Sequence, residues 1–192
     1  LNVEDVDRLA GPIIGRPKSA TFRTTDLVGL DTLVHVANGV YDNCPHDEMR
    51  ADFKIPEFVQ NMLENQWLGD KTGQGFYKKT TNDKGLREIL SLNLNTLTYS
   101  PQKKTNFPVL SKTKAIENVI DRFPVLISGT DQASEFYRKM FGSTFAYVSN
   151  RIPEITEDLY KIDDAMKAGY GWEHGPFQIW DAIGLTKGIE LI

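Results

Sequence analysis

The residue types able to do chemistry are sparse and scattered in this chain. His174 in "WEHGPF" has no serine or cysteine nucleophile placed near it by any motif, so it reads as a loop residue. His35 precedes an apolar stripe and reads as a packed helix histidine. His46 lies close to Cys44, but two candidate ligands in one loop fall short of a metal site, and no metal is expected. Asp163, Asp164 and "EITED" read as solvated helix faces. Lys71 in "LGDKTGQGFYKK" follows a helix, where a lysine complements the helix dipole. Asp26 and Asp181 stand in nearly the same sentence, "FRTTDLVGLD" and "FQIWDAIGLT". A carboxylate that recurs in both contexts suits a structural hydrogen bond better than chemistry. No residue is assigned a catalytic role.

The two sentences align at Phe22/Phe177, Asp26/Asp181, Gly29/Gly184 and Leu30/Leu185, a constant offset of 155 (181 − 26). With one residue of slippage, "VDRLAGPIIGRP" continues the likeness upstream against "IDDAMKAGYGWEH". Duplication is the expected cause. The supporting elements follow from periodicity and punctuation. "VEDVDRLAG" is a short helix stopped by Gly11-Pro12. Ser19 is expected to cap a helix ending at Gly29, and Asp31 to cap the next. "EFVQNMLENQWLG" is expected to be one helix carrying Phe58, Met62 and Trp67 on its apolar face, ended by Gly69. "ILSLNLNTLTY" alternates with period two, and Asn82–Gly85 supplies a turn, so a hairpin pairing 75–80 with 87–94 is predicted. "SPQKKTNFPVLSKT" is a connector. A long helix follows, with Thr130 or Asp131 as cap and Ala133, Phe136, Tyr137, Met140, Phe141, Thr144, Phe145 and Val148 along one face. The last helices lead into the second copy of the motif.

Bulk properties narrow the classes. The chain has 192 residues, 40% of them hydrophobic, and a formal net charge of −4. That charge disfavours nucleic acid as a partner. The single cysteine excludes an internal disulfide and a thiolate zinc cage, and fits a reducing compartment, with a cytoplasmic location expected. No apolar run reaches the ~20 residues of a membrane span. The chain opens without Met and stops in "TKGIELI", so a piece of a longer protein is expected.

"DLVGLDT", followed some forty residues later by "LGDKTGQGFYKK", resembles the C-terminal domain of 3-hydroxyacyl-CoA dehydrogenases. "NRIPEI" and "IDDAMKAGYGWEHGPFQIWDAIG" resemble the second copy of that domain in multifunctional fatty-acid oxidation proteins. The resemblance covers nearly all of the chain outside about 81–112. It implies a mainly α fold of two related helical units, like the C-terminal domain of 6-phosphogluconate dehydrogenase, with one β-hairpin between them. The expected layout is a first unit at 1–80 lacking its leading helix, a hairpin and connector at 81–112, and a second, truncated copy at 113–192.

The resemblance also implies an activity, oxidation of (3S)-3-hydroxyacyl-CoA to 3-oxoacyl-CoA with NAD in fatty-acid β-oxidation. The His–Glu pair and the dinucleotide fold of such enzymes belong to a preceding domain, so the 192 residues alone are expected to be inactive. Carried over by position, Lys71 is the residue that reaches the nicotinamide cofactor. Asn150, in the Asn150-Arg151 step, occupies the place of a substrate-side asparagine, here as a structural relic. Implied partners are the acyl-CoA, the upstream dinucleotide-binding domain and a possible hydratase domain. A chain with two copies could also satisfy the family's dimer surface internally. Such a pseudo-dimer is expected to use apolar faces from 22–41 and 133–148 and to leave the chain monomeric. The alternative is a non-catalytic helical association module.

Overall fold

The computed structural model describes residues 1–192 and is mainly α, with ten helices and one small sheet. The helices are α1 (Val3–Ala10), α2 (Phe22–Val28), α3 (Leu30–Asn43), α4 (Glu57–Glu64), α5 (Pro108–Thr113), α6 (Phe123–Ser128), α7 (Gln132–Asn150), α8 (Leu159–Tyr170), α9 (Pro176–Ile183) and α10 (Leu185–Leu191). The strands are β1 (Tyr77–Thr81), β2 (Arg87–Asn93) and β3 (Thr98–Pro101). No helix is long and apolar enough to cross a membrane. The chain forms two compact units, Leu1–Arg8 with Ser19–Lys104, and Leu9–Lys18 with Thr105–Ile192.

In unit 1, α3 and α4 bury Leu30, Val59 and Met62 with Val3, Phe76 and Leu92. The expected hairpin is present, β1 running antiparallel to β2 with Tyr77 opposite Ser91 and Thr81 opposite Arg87. The alternating run does not continue as one strand. Asn93 Oδ1 accepts the N–H groups of Asn95 (2.9 Å) and Thr96 (3.2 Å), turning the chain into β3, which pairs with β2. This side-chain-mimicked turn is open to Asn and invisible to a periodicity count. Helix α4 also ends earlier than expected, at Glu64. Gln66 takes φ 59°, Trp67 N–H bonds Met62 O (2.8 Å) and Gln66 N–H bonds Leu63 O (3.0 Å). That is a Schellman closure made without glycine, and it frees Trp67 to lie edge-on to Tyr99 at 5.4 Å.

Unit 2 is built around α7. Its residues Ala133, Tyr137, Phe141 and Phe145 are buried with Leu9, Ile14, Phe123, Leu126, Ile179 and Ile183. The rings of Tyr137, Phe141, Phe145 and Trp180 stack in succession at 5.9, 6.1 and 4.7 Å. The α7 face expected at an interface between copies is therefore spent on the core of its own unit. Leu27, Val28, Leu33 and Val36 of α2–α3 are exposed. Asp131 is the α7 cap, accepting Ser134 N–H at 2.9 Å.

The repeated sentence folds the same way in each unit. Helices α2 and α3 meet at Gly29 (φ 107°, ψ 130°), and α9 and α10 meet at Gly184 (φ 96°, ψ 138°). These positive φ values suit glycine. The N-termini of α2 and α9 are held alike, each by an aspartate from an earlier helix. Asp7 accepts the N–H groups of Thr21 (3.0 Å), Phe22 (2.6 Å) and Arg23 (2.9 Å). Asp163 accepts those of Phe177 (2.8 Å) and Gln178 (3.1 Å). Ser19 does not cap α2, because Asp7 already satisfies its orphan donors. Asp31 does not cap α3 either; Gly29 is the cap residue and Asp31 lies in the first turn. Asp163 is 4% exposed, so it departs from the expected solvated face, whereas its neighbour Asp164 is exposed and pairs with Lys167 at 2.8 Å. Burial pushes the Asp163 carboxyl up, against the pull of its two N–H donors.

Candidate functional site

The glycine turn 68–77 is laid across the α2–Gly29–α3 elbow. Leu30 N–H donates to Leu68 O (3.1 Å), and Gly69 N–H donates to Gln74 O (2.8 Å). Asp26 then accepts the N–H groups of Phe76 and Tyr77, both at 2.8 Å. The carboxylate is 2% exposed. Burial raises its pKa, with the two N–H donors working in the opposite direction. The expectation of a structural hydrogen bond is met for Asp26. Two glycines make the approach possible. A Cβ on Gly69 would overlap the Asp26 backbone, and one on Gly75 would overlap the Asp26 carboxylate. Phe76 seals the turn from beneath, 4.6 Å from the Phe22 ring and 2% exposed. Burial of one such ring contributes roughly 1.5–3 kcal/mol.

Charged groups rim this turn. Arg23 donates both terminal nitrogens to Asp70, at 2.7 and 2.5 Å. This fork holds the Asp70 carboxyl below the usual carboxylate range and raises the Arg23 guanidinium. Lys79 approaches Asp70 at 3.8 Å. Lys71 reaches across Gly29 to Asp31 and forms an ion pair there, which lowers the Asp31 carboxyl. A Cβ on Gly29 would meet Lys71 Nζ at 2.9 Å, so the elbow glycine also gives the lysine its path. The Lys71 side chain is 44% exposed. Its partner Asp31 was not legible as such in the sequence, where it stands forty residues away. On the far side, the Tyr77 hydroxyl donates to Asp7 at 2.7 Å, and burial drives the phenol well above its ordinary range.

The other singled-out residues lie elsewhere. Asn150 is the last residue of α7, exposed and in unit 2, whereas Lys71 is in unit 1. His174 sits edge-on to Phe123 at 6.3 Å and 3.7 Å from Glu173. His35 is exposed on α3 rather than packed, because the buried stripe of that helix runs through Leu30 and Val34. Asp181 is exposed, and its side chain makes no hydrogen bond or ion pair.

A lone exposed lysine already paired with a carboxylate can contact the anionic edge of a ligand. It is not a phosphate cradle, and the N–H groups of Thr72, Gly73, Gln74 and Gly75 beside it are spent on acceptors within the turn. The residues present thus fit one peripheral contact to a dinucleotide.

A second constellation lies wholly in unit 2. Glu173 N–H donates to Gly15 O at 2.8 Å. The Arg16 guanidinium lies 3.8 Å above the Trp172 ring, and its Nη1 meets Met140 Sδ at 3.9 Å. A Cβ on Gly171 would touch Pro17 at 3.6 Å. Burial brings the Arg16 pKa down to about 10, so the group stays charged at neutral pH, with the aromatic face in place of a carboxylate. Gly15, Arg16 and Pro17 correspond to Gly171, Trp172 and Glu173 at an offset of 156 (171 − 15). Residue 15 thus meets the counterpart of 17, residue 17 meets the counterpart of 15, and residue 16 meets its own counterpart. Reciprocity of this kind is what a two-fold relation between two loops requires.

Residues 1–79 match the profile of the 3-hydroxyacyl-CoA dehydrogenase C-terminal domain. The chain is 45% identical over 188 residues to a probable 3-hydroxyacyl-CoA dehydrogenase of Bacillus subtilis, covering 98% of this chain and 23% of that protein. It is 25% identical over 194 residues to a putative fatty acid oxidation complex trifunctional enzyme of Rickettsia prowazekii, covering 100% of this chain and 25% of that protein. Over 84 residues it is 50% identical to a probable 3-hydroxyacyl-CoA dehydrogenase of Deinococcus radiodurans, covering 44% of this chain and 23% of that protein. The chain thus spans about a quarter of the length of these relatives. With its glycine turn folded onto the elbow that the matched domain contains, the chain belongs through residues 1–79 to the 3-hydroxyacyl-CoA dehydrogenase family, as a C-terminal domain of such enzymes.

Proposed function

We propose that this chain serves an NAD-dependent 3-hydroxyacyl-CoA dehydrogenase of fatty-acid β-oxidation as the helical part facing substrate and partner. A preceding dinucleotide-binding domain would carry the proton-transferring His–Glu pair. Bound NAD would accept hydride from the 3-carbon of the (3S)-3-hydroxyacyl-CoA, giving the 3-oxoacyl-CoA. The observation that carries this reading is the 68–77 turn, locked onto Asp26 and presenting Lys71 at its exposed rim. In this role Lys71 offers a cation to the edge of the dinucleotide, and Asp31 holds it in place when no ligand is near. Asn150 takes no part in the reaction.

Two measurements test this. The purified 192-residue protein should not turn over acetoacetyl-CoA with NADH; measurable turnover would show that the assignment of the chemistry to another domain is wrong. In the full-length enzyme, Lys71→Ala should raise KM for NAD several-fold and leave kcat within about two-fold, the pattern of a lost binding contact. Unchanged NAD kinetics would make Lys71 a surface lysine only.

The reciprocal contacts at 15–17 and 171–173 favour a second role alongside this one. The second copy substitutes for a partner subunit at that loop, so the loop surface is satisfied within one chain. The protein should then sediment as a monomer, and Trp172→Ala should expose the Arg16 loop and promote self-association. A tight dimer of the unmodified protein would overturn this.

A further inference from the structure

The charges at the rim of the 68–77 turn differ in how firmly they are held. Lys71 is the middle residue of one short 3₁₀ turn, Asp70–Thr72, and its flexible side chain crosses Gly29 to reach Asp31. Asp31 stands in the first turn of α3. Its carboxyl is drawn down first by Lys71, and further by the N–H groups of Thr32 and of Asp31 itself. Those N–H groups stay in place when the lysine swings away. Asp31 is therefore the fixed charge and Lys71 the movable one. Asp70, the sequence neighbour of Lys71, does not compete for it. The Arg23 fork occupies both Asp70 oxygens, at 2.7 and 2.5 Å, and Lys79 stands at 3.8 Å. Lys71 and Asp31 thus form a pair of their own, with side chains 44 and 47% exposed and no net charge.

A dinucleotide meets this pair in two charge states. The oxidised nicotinamide ring is cationic and the reduced ring is neutral, so NADH is the more anionic form. A lone cation beside the cofactor would favour NADH, because the Coulomb energy scales with the charge it faces. A cation with a carboxylate fixed against it presents only a dipole, and most of that preference cancels.

We propose that Asp31 is a specificity-determining residue for the redox state of the cofactor: by neutralising Lys71 it removes the preference of that lysine for the reduced dinucleotide, the form that must leave after the alcohol is oxidised. This rests on the reading of Lys71 as a cofactor contact and adds the part played by the facing carboxylate. An ammonium has donors to spare once Asp31 has taken one, so the contact and the pairing are compatible. When the lysine leans toward the cofactor, the fixed carboxylate stays behind it and the charge stays compensated.

Equilibrium binding tests it. Dissociation constants for NAD and for NADH are measured on the full-length enzyme without acyl-CoA, by quenching of protein fluorescence, at low and at high salt. The quantity read is the ratio of the NAD constant to the NADH constant. Asp31→Asn should raise this ratio about three- to five-fold at low salt, the upper range for an exposed charge pair, because NADH binding gains more than NAD binding. Lys71→Met should lower the ratio by a similar factor, since the uncompensated carboxylate then disfavours NADH. The double variant, with neither charge, should return to near the parental ratio, and all shifts should shrink as salt screens the rim. A ratio unmoved by Asp31→Asn, with Lys71→Met still weakening the cofactor, would overturn the proposal and leave Lys71 a cofactor contact. Two dissociation constants unmoved by Lys71→Met would remove the contact itself, and the proposal with it. A double variant that keeps the full shift of Asp31→Asn would point to a rearranged turn and would also overturn it. Both side chains lie at the surface, and matching circular dichroism spectra and melting temperatures would establish that the variants fold.

Discussion

Asp26 shows how one carboxylate organises a turn. Its two N–H partners lie fifty and fifty-one residues away. Asp26→Ala should therefore leave two donors unmet beneath the turn, at about 2–4 kcal/mol by denaturant titration. Gly75→Ala is expected to be at least as damaging, because the added methyl would take the space of the carboxylate itself. The Asp70–Arg23 fork makes a smaller contribution. Its side chains are 38 and 31% exposed, so the pair is worth under about 1 kcal/mol. The sign is definite. Arg23 holds Asp70 below its ordinary value, so the contribution is complete above that ordinary value and disappears as pH falls through the lowered one. Thermal melts of Asp70→Asn should lie below those of the parent at neutral pH and converge with them in acid. Asp26 titrates in the opposite sense, since burial raises it; its share of stability falls as pH rises through the raised value.

At the scale of elements, the unit of construction is an aspartate, a loop, a helix, a glycine and a second helix. The sequence displayed the helix–glycine–helix portion because Phe, Asp, Gly and Leu keep a fixed offset. It concealed the capping role of the leading aspartates, since Asp7 lies 15 residues before Phe22 and Asp163 lies 14 before Phe177. The one-residue slip falls between the cap and the helix it caps. A cap supplied from a distant helix leaves no local signature, which is why Ser19 looked like the better candidate. The hairpin was legible through its alternation and Asn82–Gly85 turn, and its third strand was not, because Asn93 turns the chain with its side chain. Lys71 was legible only through resemblance, and its partner Asp31 only through the fold. Equivalence of the two caps has a measurable form. Asp7→Ala and Asp163→Ala should each cost about 1–2 kcal/mol, and the Asp7 change should cost the more, since it also strands the Tyr77 hydroxyl.

At the scale of the whole molecule, repeat boundaries and compact units do not coincide. The family profile matches residues 1–79, whereas compact unit 1 leaves out residues 9–18, which belong with unit 2, and takes in the sheet to Lys104. Tyr137 of α7 donates its hydroxyl to Leu9 O at 2.9 Å, and Leu9 and Ile14 sit in the core that α7 builds. The polypeptide therefore passes from one unit to the other three times, at 8/9, 18/19 and 104/105. One consequence concerns dissection. No single cut of the polypeptide yields either unit whole. A peptide beginning at Thr105 would be born with a vacancy where Leu9 and Ile14 belong and with a stranded tyrosine hydroxyl facing it. Such a peptide should bind the dye ANS and lack a cooperative melt, and supplying residues 1–18 in trans should restore the transition. The ten residues 9–18 therefore work as a stitch, completing the core of unit 2 from a stretch of chain far from the rest of it.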